Sequence, residues 1–231
     1  MIITAAEFDF AAYQSGKWGD HLIIHGDCRD VLPKIDNKAI DLIVTDPPYG
    51  IKMDEGFEGF GGFRGFGTPI ARRQYEDDWD AERPTKETFD EIIRVGKSCL
   101  IFGGNFFSDI LPQGKHWLSW DKKNTMPSFG DCELVWTNID RKSVKKYVYE
   151  WNGLIGKEQH RWHPTQKPRL LIEALIRDYI KKGTLIADFY LGAGTTLLAA
   201  KNLGFKAIGV EKSLHYAQVA EQRLAQEVLA L

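Results

Sequence analysis

A chain of 231 residues can close one full α/β core but not two well-buried domains, so a single domain, 1–231, is expected. Its 43% hydrophobic and 27% charged residues exclude wholesale disorder, and the formal charge of −2 neither demands nor forbids a nucleic-acid partner, because distribution matters more than the sum. Three widely spaced cysteines, Cys28, Cys99 and Cys132, argue against a disulfide framework and a clustered zinc site, and no run reaches the roughly 18 apolar residues of a membrane span. A soluble protein of the reducing cytoplasm, without metal or membrane partner, is expected.

In chain order, Leu22 to His25 and Ile40 to Thr45 are short Ile/Val-rich runs ending in polar or glycine punctuation, as buried parallel strands do. Between them, residues 26–39 read as a short helix and a turn. A helix is expected from about Pro84 to Gly96, then a strand from Ser98 to Phe102 closed by Gly103 and Gly104. Strands follow at His116 to Trp120 and Cys132 to Thr137, and a helix opens at Pro168, a residue suited to a first helical turn. The C-terminal part reads as strand Thr184 to Phe189, a glycine turn, helix Thr195 to Leu203, strand Lys206 to Val210 and a final helix from about Ser213.

Two intervals break this rhythm. Residues 56–67, GFEGFGGFRGFG, carry glycine too often for helix or strand and set four phenylalanines three apart around Arg64. A mobile loop is expected there, either without a role in chemistry or, given its aromatics, with one. From Asn138 to Arg169, eight basic residues face three acidic ones, with Tyr147, Tyr149, Trp151 and Trp162 interleaved. Such a run is a solvated face or a nucleic-acid contact; Arg141, Lys142, Lys145, Lys146 and Arg161, with Arg64, are the candidate contacts.

Two segments carry chemistry. Asp188, Phe189, Tyr190, Leu191, Gly192, Ala193, Gly194 and Thr195 run from a strand into a helix. Gly192 and Gly194 allow a tight turn and close approach of backbone to a ligand, and the helix start offers N–H groups. The next strand ends in Glu211, where a ribose diol would lie. The absence of GxxxxGK[ST] argues against a phosphate-gripping loop and for a nucleoside cofactor. Asp46-Pro47-Pro48-Tyr49 ends the strand Ile40 to Thr45, at the carboxyl edge where α/β enzymes place ligands. An exocyclic amine has two N–H bonds. The Asp46 carboxylate can accept one and the rigid Pro47 carbonyl the other, while Pro48 stiffens the turn and Tyr49 offers a ring for stacking.

Taken together, Asp46-Pro47-Pro48-Tyr49, His163-Pro164-Thr165-Gln166-Lys167-Pro168 and Phe189-Tyr190-Leu191-Gly192-Ala193-Gly194 resemble the DNA amino-methyltransferases, in the permuted beta order with the catalytic motif first. The resemblance covers nearly the whole chain. It implies a Rossmann-like S-adenosylmethionine-dependent fold, three layers around a mostly parallel seven-stranded sheet. It also implies methyl transfer from S-adenosylmethionine, leaving S-adenosylhomocysteine, to adenine N6 in double-stranded DNA, in a restriction-modification setting. By the same analogy Asp27 lies near the cofactor adenine, Glu211 holds the ribose hydroxyls, and Thr165 and Lys167 contact the amino-acid end. Many members have Asp-Pro-Phe and Gly-Ser-Gly where this chain has Asp188-Phe189-Tyr190 and Gly192-Ala193-Gly194, which removes one hydroxyl near the cofactor. The family's inserted target-recognition region corresponds to residues 138–162, short enough that readout is brief or shared with another chain, and a homodimer is an open alternative. Cytosine N4 methylation, a catalytically weak DNA-binding role and an RNA substrate remain competing readings.

Overall fold

Alternating burial along the strands builds the molecule. In the computed structural model, which describes residues 1–51, 83–123, 130–150, 162–163, 166–180 and 184–226, nine strands form one sheet. In chain order they are β1 (Ile2–Thr4), β2 (His21–His25), β3 (Ile40–Thr45), β4 (Gly96–Phe102), β5 (Trp117–Asp121), β6 (Cys132–Thr137), β7 (Val144–Val148), β8 (Leu185–Asp188) and β9 (Lys206–Glu211). Helices are α1 (Phe10–Gln14), α2 (Cys28–Val31), α3 (Lys86–Val95), α4 (Arg169–Tyr179), α5 (Thr195–Asn202) and α6 (Leu214–Ala225).

The sheet order is β1-β2-β9-β8-β3-β4-β6-β5-β7. Every neighbouring pair from β1 to β4 is parallel, β6 runs antiparallel to both β4 and β5, and β7 pairs parallel with β5. Because successive side chains point to opposite faces, Leu22, Ile24, Ile43, Cys99 and Ile101 join one core with α1, α2 and α3. Ile23, Leu42, Val44, Leu100 and Phe102 join a second core with α4, α5 and α6. Three layers result, as expected from the sequence.

The strand count is a correction, nine in place of seven. β1 is a three-residue edge strand held by the register Ile2 to Ile23, too short to show periodicity. β7 lies inside the basic interval; only Tyr147 of its five residues is buried, so the sequence shows no apolar run there. The helix expected from Pro84 begins two residues later, at Lys86, because Thr85 caps it by accepting from the Thr88 N–H. The glycine- and phenylalanine-rich interval 56–67 lies outside the described residues.

The carboxyl ends of β2, β9, β8, β3 and β4 face one crevice. From β3 the chain reaches β4 on one side, and from β8 it reaches β9 on the other, so the sheet reverses direction between β3 and β8, the usual place for a ligand in such folds. Thr45 Oγ1, at the end of β3, donates to Asp188 Oδ1 at the end of β8 over 2.8 Å, tying the two sides together.

Candidate active site

A cavity of about 660 Å³ opens at this crevice, of a size that suits a small-molecule ligand. Its walls include all four residues of Asp46-Pro47-Pro48-Tyr49 together with Asp27, Lys167, Asp188, Phe189, Tyr190, Gly192, Thr195 and Glu211, so residues from distant parts of the chain share one space.

At the glycine-turn end, Gly192 and Gly194 take left-handed backbone conformations, φ +52° and +82°. Gly194 caps α5 and is not among the cavity walls. A Cβ there would sit 2.7 Å from the Ala220 Cβ, so this glycine lets α6 pack against the turn. From α6, the buried Arg223 guanidinium donates to the Ala193 carbonyl and to Thr195 Oγ1, fastening the turn from behind. That clamp gives no local sequence signal, since an arginine in a C-terminal helix ordinarily faces water. Glu211 accepts the Gly192 N–H (2.7 Å) and the Ser213 N–H (2.8 Å). Burial pushes its carboxyl up to about 7 against the pull of those two bonds. Burial also raises Asp188, to about 6, although Thr196, Thr45 and the Tyr190 N–H all favour its ionised form.

Asp27 caps α2 and is gripped by Arg29, at 2.9 Å from Nε and 2.6 Å from a terminal nitrogen. The arginine's hydrogen bonds hold its carboxyl below the ordinary range. Tyr190 lies beside Cys28, and Phe189 is buried in the α1–α3 core.

The other end of the cavity is a buried charge cluster. Asp46 Oδ1 accepts from the Tyr49 hydroxyl (2.7 Å) and Asp46 Oδ2 from Lys167 Nζ (2.6 Å). Lys167 Nζ is also 3.0 Å from Glu133 Oε1. The same Glu133 oxygen is 2.8 Å from the Tyr49 hydroxyl, and Glu133 Oε2 is 3.0 Å from Lys122 Nζ. Only a tenth of each of the Lys167 and Glu133 side chains is exposed. Two carboxylates and two ammonium groups balance, which is what makes such a buried cluster tolerable. Burial acts to raise both acids. Glu133 has two lysines and is held at about 2, whereas Asp46, which shares one, is the acid left raised. For Lys167, burial pulls the ammonium down, and its two carboxylates outweigh that pull and raise it.

Lys167 was expected at a cofactor and is found on Asp46. The segment before α4 turns to bring it there: the Gln166 N–H donates to the His163 carbonyl, and Gln166 Oε1 accepts the Trp162 N–H. Thr165 lies outside the described residues. Tyr49 is stacked on Phe106, with ring centres 4.7 Å apart and planes 16° from parallel, and lies against Gly103. Glu133 and Lys122 escape a reading of the sequence because an acid near the start of an antiparallel strand and a lysine just past β5 look like ordinary surface groups.

The basic residues stand apart from the cavity. Lys145 Nζ is 2.6 Å from Asp178, Lys146 Nζ is 3.2 Å from Asp121, Arg141 lies over the Tyr179 ring and Lys142 is exposed. Arg64 and Arg161 lie outside the described residues. Among the described residues no group of three or more His, Cys, Asp or Glu could hold a metal ion, and no helix is long and apolar enough to cross a membrane.

Residues 108–222 match the family model described as DNA methylase of the N6/N4 class. The chain belongs to the DNA amino-methyltransferase family. The Type II methyltransferase M2.LlaDCHI of Lactococcus lactis subsp. cremoris is 28% identical over 88% of each chain. M2.DpnII of Streptococcus pneumoniae is 26% identical over 89% of this chain and 90% of its own. Among solved structures, a DNA modification methylase of Thermus thermophilus, TTHA0409, complexed with S-adenosyl-L-methionine, shares the fold (TM-score 0.56, 21% identity, 91% of this chain and 96% of that one). The cytosine-N4-specific PvuII DNA methyltransferase does so at TM-score 0.59 and 14% identity, over 92% and 89% of the two chains. The amino-methyltransferase motifs therefore sit at the two ends of one cavity, in the order expected from the sequence.

Proposed function

We propose that the chain transfers a methyl group from S-adenosylmethionine to the N6 amine of adenine in double-stranded DNA, as a cytoplasmic enzyme. The observation that carries this reading is the opposition, across one cavity, of Asp46-Pro47 to the Gly192 turn and Glu211. S-adenosylmethionine would supply an activated methyl group there.

The residues present fit such a nucleoside cofactor. Gly192 turns left-handed at the wall, with no side chain to repel a ligand, and Glu211 is fixed by backbone N–H groups with its carboxylate at the cavity. Asp27 and Tyr190 line the side toward β2, and Thr195 opens α5. At the far end the Asp46 carboxylate can accept one N–H of an amine and the Pro47 carbonyl the other. That geometry draws the nitrogen lone pair out of conjugation with the base ring and aims it across the cavity. The gain would come from alignment and fixed dipoles, without a covalent enzyme intermediate. An amine inside a duplex cannot reach this pocket, so the base must leave the stack. Residues 138–162 would dock the DNA backbone.

Adenine is favoured over cytosine by Asp46, since family members acting on cytosine N4 more often carry Ser at that position. The Type II relatives, each named as a methyltransferase, support DNA as substrate. The test is tritiated-methyl transfer to unmethylated DNA and RNA, then nucleoside digestion. Label in N6-methyladenine of DNA is expected; label in N4-methylcytosine, in RNA or nowhere would overturn the corresponding part.

A further inference from the structure

Both oxygens of the carboxylate that should receive an amine are already engaged, Oδ1 by the Tyr49 hydroxyl and Oδ2 by Lys167. An amine N–H can take its place only if one of these donors turns elsewhere. Each of them has a second acceptor within reach, and it is the same atom, Glu133 Oε1, 2.8 Å from the Tyr49 hydroxyl and 3.0 Å from Lys167 Nζ. A phenol carries a single proton and donates to one acceptor at a time, whereas an ammonium with three protons can serve both. The Tyr49 hydroxyl therefore has two positions, and moving between them needs only rotation about its C–O bond.

We propose that Glu133 is a positioning residue that accepts the Tyr49 hydroxyl when a base enters, releasing Asp46 Oδ1 for the amine N–H while Lys167 bridges both carboxylates. This rests on the amino-methyltransferase reading of the site. Three observations fit the role. The glutamate side chain is nine-tenths buried, so water cannot easily act as the alternative acceptor. It stands on β6 opposite Trp120 of β5, in paired strands that fix its position. Lys122, anchored to its other oxygen, holds Oε1 toward Tyr49. Its lysine and tyrosine donors outweigh burial and keep the group ionised, at about 2, so it is an acceptor at every working pH. No proton leaves the cluster in this step: one O–H···O bond breaks and another forms.

A double-mutant cycle tests it, with Glu133→Gln, Tyr49→Phe and the pair, read as kcat and KM for methyl transfer to unmethylated DNA. S-adenosylhomocysteine affinity and melting temperature are followed alongside. Glu133→Gln is expected to lower kcat about tenfold or more, with cofactor affinity within twofold. Without the Tyr49 hydroxyl there is nothing to relocate, so in the Tyr49→Phe background the same change is expected to cost less than about threefold in kcat. Costs that multiply independently in the two backgrounds, or a parental kcat for Glu133→Gln, would overturn the role. A separate readout needs no turnover: the 13Cζ resonance of Tyr49, assigned through Tyr49→Phe, is expected to shift on Glu133→Gln in the protein alone. An unmoved resonance overturns the proposal. A parent chain that transfers no methyl group to DNA while that resonance moves would sink the proposed function and leave the hydroxyl switch standing.

Discussion

The two ends of the cavity are built differently. The glycine-turn end comes from β8, α5 and β9, consecutive in the chain, and its key bonds span short distances in sequence, as from Gly192 to Glu211. The amine end draws Asp46 from β3, Glu133 from β6, Lys122 from beyond β5 and Lys167 from before α4. The first end is a local motif that polar backbone groups hold in place. The second exists only when the whole sheet is assembled, and charge pairing across strands holds it. Chemistry placed on such a cluster is more sensitive to single changes than binding placed on a backbone turn.

The sharpest way to break this contrast is Asp46→Ala. It should cut methyl transfer by about 10³-fold or more, with cofactor affinity within a few-fold, because the carboxylate lies at the far end from Glu211. Steady-state kinetics beside calorimetry checks it; near-normal turnover would remove Asp46 from the chemistry. Gly103→Ala comes next. A Cβ at Gly103 would lie 2.2 Å from the Tyr49 ring, and the backbone there is left-handed, φ +66°. Tyr49 must shift, and a displacement of this kind should cost about 10²-fold in kcat. A crystal structure of the variant with Tyr49 unmoved would contradict it.

At the other end, Glu211→Gln should weaken S-adenosylhomocysteine binding by roughly 1.5–3 kcal/mol through loss of a charged acceptor. Its carboxyl sits at about 7, raised by burial, so it is ionised above that pH and neutral below. Parental affinity should therefore fall as pH drops through about 7, and the Gln variant should show no such step. Calorimetry on either side of that value decides; a parallel pH dependence in both chains would exclude Glu211 as the acceptor.

Asp188 makes the smaller stability case. Its folded value of about 6 lies above the ordinary aspartate value, so the folded chain binds this proton more tightly than the unfolded one. The contribution to stability is then greatest in acid and declines as pH rises from about 4 to about 6. Asp188→Asn keeps an acceptor for the Thr45 hydroxyl and the Tyr190 N–H while removing the charge. It should raise the melting temperature at about pH 8 by roughly 3 °C and leave it unchanged near pH 4. Equal shifts at both pH values would show that packing, rather than ionisation, was altered.

The same contrast explains what could be read from the sequence. Strands β2, β3, β4, β8 and β9 are apolar runs with clear ends, and the acids and glycines that follow them lie at the sheet edge by construction. Asp46, Asp188, Gly192 and Glu211 were therefore legible. Glu133, Lys122 and Arg223 were not, because their burial is a product of strand pairing and helix packing that no local pattern encodes. Lys167 stood out by its motif, but only the assembled sheet gives it Asp46 as a partner.

The smallest expected effect concerns the basic edge. The run from Asn138 reads from sequence as a phosphate-binding segment, and paired replacement of Lys145 and Lys146 by Ala would then lower the slope of log affinity against log salt by about 2. In the structure each lysine already has a carboxylate neighbour, Asp178 at 2.6 Å and Asp121 at 3.2 Å. A lysine bonded to a carboxylate neutralises less phosphate charge, and exchanging one partner for the other releases fewer counterions than docking an unpaired ammonium. The expected change is therefore about 1, with affinity falling alike on cognate and unrelated duplexes, since phosphate contacts carry no sequence code. Asp178 also accepts from the Tyr147 hydroxyl at 2.6 Å, so it stays partnered when Lys145 is removed and the edge strand should hold. Fluorescence anisotropy over a salt series, with both duplexes and with cofactor affinity checked in parallel, makes the measurement. An unchanged slope would make these lysines a structural seam between β7 and its neighbours, and the docking surface would have to be sought at Arg141 and Lys142, which no carboxylate bridges among the described residues.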